Sequence, residues 1–241
     1  MDLGKQNILF FTRTMMLGGT ENVVLQLCEV FKPKVNKIVV CSCGGVNVEK
    51  LTEMGIRHYQ IPDISSKKDI FKICRTVKQI VEKEQITVIH SHHRMAAFYT
   101  EILFGSSIIK IANAHNTFFD KKLLTKFVYK HTKVIAVGEM VKKNLVDYFK
   151  IPEKQVSVIH NAVKPFDGNY LEDKYIRKLH DDGNFVVGNI GRLSEQKGME
   201  YFIESIPKIL KKYPRTRFVI AGNGEDCLLY TSPSPRDRSV S

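Results

Sequence analysis

Gly191-Arg192-Leu193-Ser194-Glu195-Gln196-Lys197-Gly198 lies between an apolar, β-rich run, Phe185–Ile190, and a stretch, Met199–Leu210, whose apolar residues recur at helical spacing. The octapeptide therefore reads as a strand-to-helix turn at the carboxyl edge of a parallel sheet. At that edge a helix N-terminus offers free N–H groups and partial positive charge to an anion. Arg192 adds a planar fork and Lys197 a mobile point charge, so the turn reads as a pocket for a charged phosphate.

The same alternation of strand and helix extends towards the N-terminus and predicts repeated βα units with a parallel sheet. Strands are expected at Ile8–Thr12, Lys37–Ser42, His58–Ile61, Val88–Ser91, Ile109–Ala112, Val134–Ala136 and Val156–Ile159. Helices are expected near Glu21–Phe31, Lys67–Lys83, Met95–Phe104, Leu123–Tyr129 and Val141–Phe149. These elements make one doubly wound, Rossmann-like α/β domain over residues 1–163. Residues 164–183 are polar and rich in helix breakers, and read as a linker. A second βαβ unit follows over 184–226: Phe185–Ile190, a helix over Met199–Lys212 stopped by Pro214, then Arg217–Ala221. Two strands and one helix cannot cover both faces of a parallel sheet, so this second Rossmann-like domain is expected to be truncated. From Cys227 to Ser241 the composition changes at once and periodicity is lost. This tail is expected to be disordered, and it resembles translated sequencing-adapter read-through.

A chain of 241 residues with 43% hydrophobic content is ordinary for a globular protein, and no apolar run approaches the roughly 20 residues that cross a bilayer. The short apolar segment at Ile8–Phe11 runs into Thr12 and Arg13 as a strand would, not as a signal peptide. Five cysteines, odd in number and set in apolar elements, fit a reducing cytoplasm and core packing. The formal charge of +12 implies an anionic partner. Eight lysines fall between Lys121 and Lys150. Among them Lys122, Lys126 and Lys130 recur at four-residue spacing beside Leu123, Leu124, Phe127 and Val128. That pattern is a basic amphipathic helix, read either as a solvated outer stripe over a core or as a surface for anionic membrane.

Gly18-Gly19-Thr20-Glu21 opens the first helix directly after the first strand and its loop, where missing side chains allow a ligand to approach the backbone. His90, His92 and His93 close the fourth strand and His115 follows the fifth, so several imidazoles collect at one sheet edge. Neither carboxylate nor cysteine stands at metal-ligand spacing, and no metal site is expected. His115 reads as a hydrogen-bond partner of a sugar hydroxyl or as a proton shuttle, with His92 beside it; a structural role for either histidine is the competing reading. Gly222-Asn223-Gly224 follows the last strand as half of a dinucleotide fingerprint. Asn161 ends the seventh strand and is a candidate only by position.

In this order, Gly18-Gly19-Thr20-Glu21, His115, Val158-Ile159-His160-Asn161-Ala162-Val163, Gly191-Arg192 through Lys197-Gly198 and Val219-Ile220-Ala221-Gly222 resemble the retaining glycosyltransferases of the GT-B fold, the large group-1 (family 4-like) family. The resemblance implies an enzyme that moves a sugar from a nucleotide diphosphate donor to a glycan or lipid-linked acceptor held by the N-terminal domain, without metal or other cofactor. It implies that Arg192 and Lys197 neutralise the leaving diphosphate, that Gly18 and Gly19 approach the phosphates, and that His115 contacts the transferred sugar. Glu21, His92, Asn161, Gly191 and Gly222 would line the site. A cytoplasmic enzyme, peripheral at the inner membrane face, is the corresponding location.

Two departures stand out. Asn161-Ala162 replaces the family's usual Asn-Gly, and the family's paired-glutamate segment, which would lie beyond Asp226, is absent, so this polypeptide is expected to be inactive. The alternative is a non-enzymatic basic module that binds anionic membrane or nucleic acid. Nucleic acid is not expected, because the lysines are not interleaved with aromatics in any known nucleic-acid signature. A Rossmann dehydrogenase needs three close glycines after the first strand and an acid ending the second, which this sequence lacks.

Overall fold

The computed structural model describes residues 2–163, 168, 171–222 and 224. The tail from Cys227, expected to be disordered, lies outside them, as do Asn223, Glu225 and Asp226. The chain divides into two compact units, residues 1–163 and residues from 164 onward.

The first unit runs β1 Asn7–Phe11, α1 Gly19–Phe31, β2 Lys37–Ser42, α2 Val48–Glu53, β3 Arg57–Gln60, α3 Ile70–Glu84, β4 Val88–Ser91, α4 Arg94–Leu103, β5 Ile109–Ala114, α5 Lys122–Val128, β6 Lys133–Ala136, α6 Glu139–Lys143 and β7 Val156–Val158. Its seven strands are all parallel, in the order β3-β2-β1-β4-β5-β6-β7. β1 is buried along its whole length, as a strand covered on both faces must be. The period-2 alternation sorts its side chains into two layers. Leu9 and Phe11 pack with Val39, Cys41 and Ile89 under α3 and α4. Ile8 and Phe10 pack with Ile38, Val40 and Val88 under α1 and α2. A third cluster joins Ala112, Ala114, Val134 and Ala136 to Val128, Leu145 and Phe149. The doubly wound expectation holds, and all seven strands fall within one or two residues of their expected bounds. The short helix α2 was not anticipated.

The helix read at Val141–Phe149 begins earlier, at α6, and then widens into a π-turn over Asn144–Tyr148. Asn144 is drawn into this turn because its side-chain amide closes two hydrogen bonds with the Phe118 backbone, at 3.1 and 2.9 Å.

In the second unit, β8 Phe185–Ile190 and β9 Thr216–Ala221 pair in parallel around α8 Met199–Lys212. Part of the stretch read as a linker is helical: α7 covers Lys174–Asp181, and Asp173 caps it by accepting from the Tyr175 and Ile176 N–H groups. The flanking glycine and aspartates suggested a linker, but residues 174–181 contain no breaker, and the cap supplies the start signal.

At the amino end of the sheet, Glu84 closes α3 and ties β2 to β3. Its carboxylate is 5% exposed and accepts from Lys37 at 2.9 Å, from Arg57 at 2.8 Å and from the Tyr59 hydroxyl. The Tyr59 hydrogen bond, with help from Lys37 and Arg57, pulls its pKa down to about 2. Because this value lies below that of the unfolded chain, the contribution to stability is complete above about pH 4.5 and is lost as pH falls towards 2. Thermal melting followed by circular dichroism should therefore show a falling midpoint across that window. Glu84→Gln should flatten that part of the profile and destabilise the protein by about 1–2 kcal/mol at neutral pH, since the cations it leaves behind are open to solvent.

Candidate active site

In a doubly wound sheet, ligands bind where the strand order reverses, at the carboxyl ends of the two adjacent strands. Here those strands are β1 and β4, paired from Ile8↔Val88 to Phe11↔Ser91, with α1 and α4 leaving on opposite faces. A cavity of about 210 Å³ opens there. Thr20 lines it from the start of α1, His92, His93 and Arg94 from beyond β4, and His115 and Lys121 from beyond β5. A larger cleft, about 610 Å³, lies at the opposite edge, beside the Lys110–Glu101–His131 cluster. None of the glycines, histidines or cations read from the sequence as candidate site residues lines it.

The chain delivers the histidines by continuing the sheet ladder. The His92 N–H donates to the Phe11 carbonyl at 2.8 Å, so β4 holds its register up to the cavity. His93 turns the chain into α4, its Nδ1 accepting the Met95 N–H at 3.1 Å. This cap is invisible to sequence rules that look for Ser, Thr, Asp or Asn. His90 Nε2 donates to Asn113 Oδ1 at 2.8 Å. The His90 and His92 rings lie 4.4 Å apart, and His92 Nδ1 stands 3.3 Å from His115 Nε2.

Burial disfavours the charged form of every ring in this cluster. It lowers His90 to about 4, with repulsion from His115 adding to it against the Asn113 bond, and drives His92 well below its usual range. His93 falls to about 4 through burial and then the nearby Arg13 and Arg94. His115 is lowered by burial, against the pull of Glu21. The cluster is neutral at physiological pH and presents hydrogen-bonding groups, not charge. The neighbouring guanidiniums are committed: Arg94 grips Asp120 at 2.8 and 3.0 Å and lies 4.8 Å from the Phe118 ring centre, and Arg13 grips Asp63.

Gly18 is the N-cap of α1 and makes no side-chain cap bond. Its backbone is extended, which any residue tolerates. A Cβ there would touch only the movable Glu21 carboxylate, and one at Gly19 would meet open space. Neither packing nor backbone strain requires these two glycines. Glu21 accepts from Thr14 Oγ1 at 2.5 Å. Sequence reading missed Gly45, which has φ +146° and whose Cβ would run into the Met15 backbone. That close approach clasps the β1–α1 loop: Met15 N–H donates to Gly44 O, and Asn47 N–H to Met15 O, at 2.9 and 2.8 Å.

In the second unit, Leu193 and Met199 are buried and pin the two ends of the turn that carries Arg192 and Lys197. Lys197 ends a 3-10 turn, Glu195–Lys197, and Gly198 enters α8 at φ +63°. Both cationic side chains are exposed, and neither makes an ion pair with a described residue. The Gly191 carbonyl lies where a Cβ on Gly222 would go, and the Leu193 backbone does the same at Gly224. These glycines thus serve close backbone passage. Asn161 is exposed and borders an apolar groove with Phe10 and His90, which shares Asn113 with the cavity but is not lined by His115. Among the described residues, no group of three His, Cys, Asp or Glu side chains could hold a metal ion, and no helix is long and apolar enough to cross a membrane.

Residues 17–165 match the model of Glycosyltransferase Family 4, and residues 172–230 that of Glycosyl transferases group 1. The chain is 28% identical over 227 residues to a human component of phosphatidylinositol N-acetylglucosaminyltransferase, covering 86% of this chain and 46% of that protein. It is 26% identical to the Saccharomyces cerevisiae GPI3 subunit of the same transferase, covering 86% and 50%. The chain thus spans about half the length of these curated relatives. Among solved structures, an Anabaena HepE complex with UDP and glucose superposes with a TM-score of 0.73 at 18% identity, covering 93% of this chain and 63% of that one. A Rickettsia africae glycosyltransferase gives 0.68 at 16%, covering 93% and 70%. These similarities show the GT-B α/β fold. With the first family model spanning well over half of the sequence, the chain belongs to glycosyltransferase family 4.

Proposed function

We propose that this protein transfers a sugar, with retention of configuration, from a nucleoside diphosphate donor to a glycan or lipid-linked acceptor, without metal or other cofactor. The observation that carries the reading is the turn Gly191–Gly198, which presents two cations without ion-pair partners among the described residues at the start of a helix. Breaking the bond between the anomeric carbon and the β-phosphate oxygen leaves negative charge on the diphosphate. Arg192 and Lys197 would stabilise that charge by about 3 kcal/mol. Gly18 and Gly19 leave the N-terminus of α1 open to an anionic group, and neutral His115 meets the sugar. Residues 1–163 form the acceptor-side domain and residues from 184 the donor-side domain. The UDP and glucose of the Anabaena complex support a nucleotide-sugar donor, and the names of the eukaryotic relatives support a lipid acceptor and membership of a complex.

We also infer a peripheral position on an anionic membrane at the cytoplasmic face. The exposed side of α5 carries Lys122 and Lys126, with Lys130 just beyond it, and it is not wholly polar. Leu124 and Val128 turn inward, while Leu123 is 83% exposed and Phe127 46%. Phe119, just before the helix, is 72% exposed. Apolar side chains ringed by lysines suit an anionic lipid surface, and a merely solvated stripe has no use for them.

The enzyme reading is tested in a polypeptide extended to its relatives' length, by release of nucleoside diphosphate from a panel of nucleotide sugars. Arg192→Ala and Lys197→Ala should each lower kcat/KM by about 10²-fold or more with the fold intact; unchanged rates would remove their role. The anomer formed, read by NMR, tests retention. Co-sedimentation with phosphatidylglycerol-containing vesicles should fall about tenfold in Leu123→Ser/Phe127→Ser and weaken with salt. Equal binding by that variant would sink the membrane reading, and the alternative of nucleic-acid binding would show as competition by DNA.

A further inference from the structure

A neutral imidazole has one N–H and one lone pair, so His115 faces a ligand either as donor or as acceptor, and its neighbour decides which. His115 Nε2 and His92 Nδ1, 3.3 Å apart, share a single hydrogen, and the two rings stack with their planes 30° apart. His92 is 3% exposed and lines the cavity, and its Nε2 has no hydrogen-bond partner. A hydrogen on that Nε2 would be a buried, orphaned N–H. Placing it on Nδ1 leaves only a bare lone pair behind, and buried orphan donors are the rarer of the two. His90 offers His92 no alternative, since its ring is tilted against that of His92, makes no hydrogen bond to His92 Nε2 and uses its own Nε2 on Asn113. His92 therefore donates from Nδ1 to His115 Nε2.

We propose that His92 is a positioning residue that locks His115 in its Nδ1–H tautomer, so that His115 presents a fixed hydrogen-bond donor, not a base, to an oxygen in the cavity. The lock decides between the two roles open to His115: it holds a ligand hydroxyl or phosphate oxygen and shuttles no proton. No described residue takes the Nδ1 hydrogen, and burial holds both rings neutral, so the donor persists across physiological pH. That the oxygen belongs to a sugar rests on the proposed transfer reaction; the tautomer itself does not.

Hydrogen positions on imidazoles are read directly by nitrogen NMR. In the 15N-labelled 241-residue chain at pH 7.5 and without substrate, two-bond imidazole spectra, assigned by the signal lost in His115→Gln, should show His115 as Nδ1–H. His92→Phe keeps the ring but removes the nitrogen, and should move the majority of His115 to the Nε2–H form. His92→Asn, whose amide nitrogen stands near the lost Nδ1, should restore Nδ1–H, which loss of packing alone would not do. An Nε2–H His115 in the unaltered protein overturns the proposal, as does an Nδ1–H form that persists in folded His92→Phe. Should His92→Phe fail to fold, the unaltered protein and His92→Asn decide it. Because no sugar donor is added, a negative transfer assay leaves this result intact, and a wrong tautomer leaves the transfer reaction standing.

Discussion

The parallel pairing of β1 with β4 is the constraint on which the first unit depends. β1, β2 and β3 belong to one half of the winding and β4 to β7 to the other. Their junction is held by four register pairs, with Leu9, Phe10 and Phe11 fully buried between two helical layers. Because both strands end at the same edge, the loop carrying Gly18 and the loop carrying His92 and His93 emerge side by side. A slip of one residue would exchange the two layers of side chains and turn His92 from the cavity side to the opposite face.

The imidazoles that gather at this edge are polar but uncharged. Desolvation outweighs the mutual hydrogen bonds of the imidazoles, and the arginines nearby repel a second positive charge. The arginines are themselves neutralised by Asp63 and Asp120. The second unit carries the opposite solution, two cations without carboxylate partners among the described residues, on a turn anchored by buried Leu193 and Met199.

Much of this was legible in the chain itself. Runs such as Ile8–Phe11 and Ile38–Cys41 reveal strands because burial on both faces leaves little room for polar residues, and the Gly191–Gly198 turn declares itself by the change of period on either side. The gathering of His90, His92 and His115 followed from their places at strand ends. Other features depend on partners distant in sequence. Nothing near His93 marks it as a cap, nothing in Gly44-Gly45 points to Met15, and Asn113 shows its purpose only against His90 in the neighbouring strand. Helix α7 was obscured by the glycine and aspartates around it. In α5, periodicity identified the helix but not its rotation, so only packing distinguishes inward Leu124 and Val128 from outward Leu123 and Phe127.

The Glu84 clasp has a bearing on colloidal behaviour. β3 is an edge strand of only four residues, so one side of its backbone has no ladder partner among the described residues, and Arg57 and Tyr59 are tethered at their tips by a single carboxylate from α3. Once that carboxylate is protonated, the strand is held by its β2 ladder alone, and its open side becomes a template on which another molecule can add a strand. The same protonation frees Lys37 and Arg57 as unpaired cations at this edge, so their repulsion opposes such pairing until salt screens it.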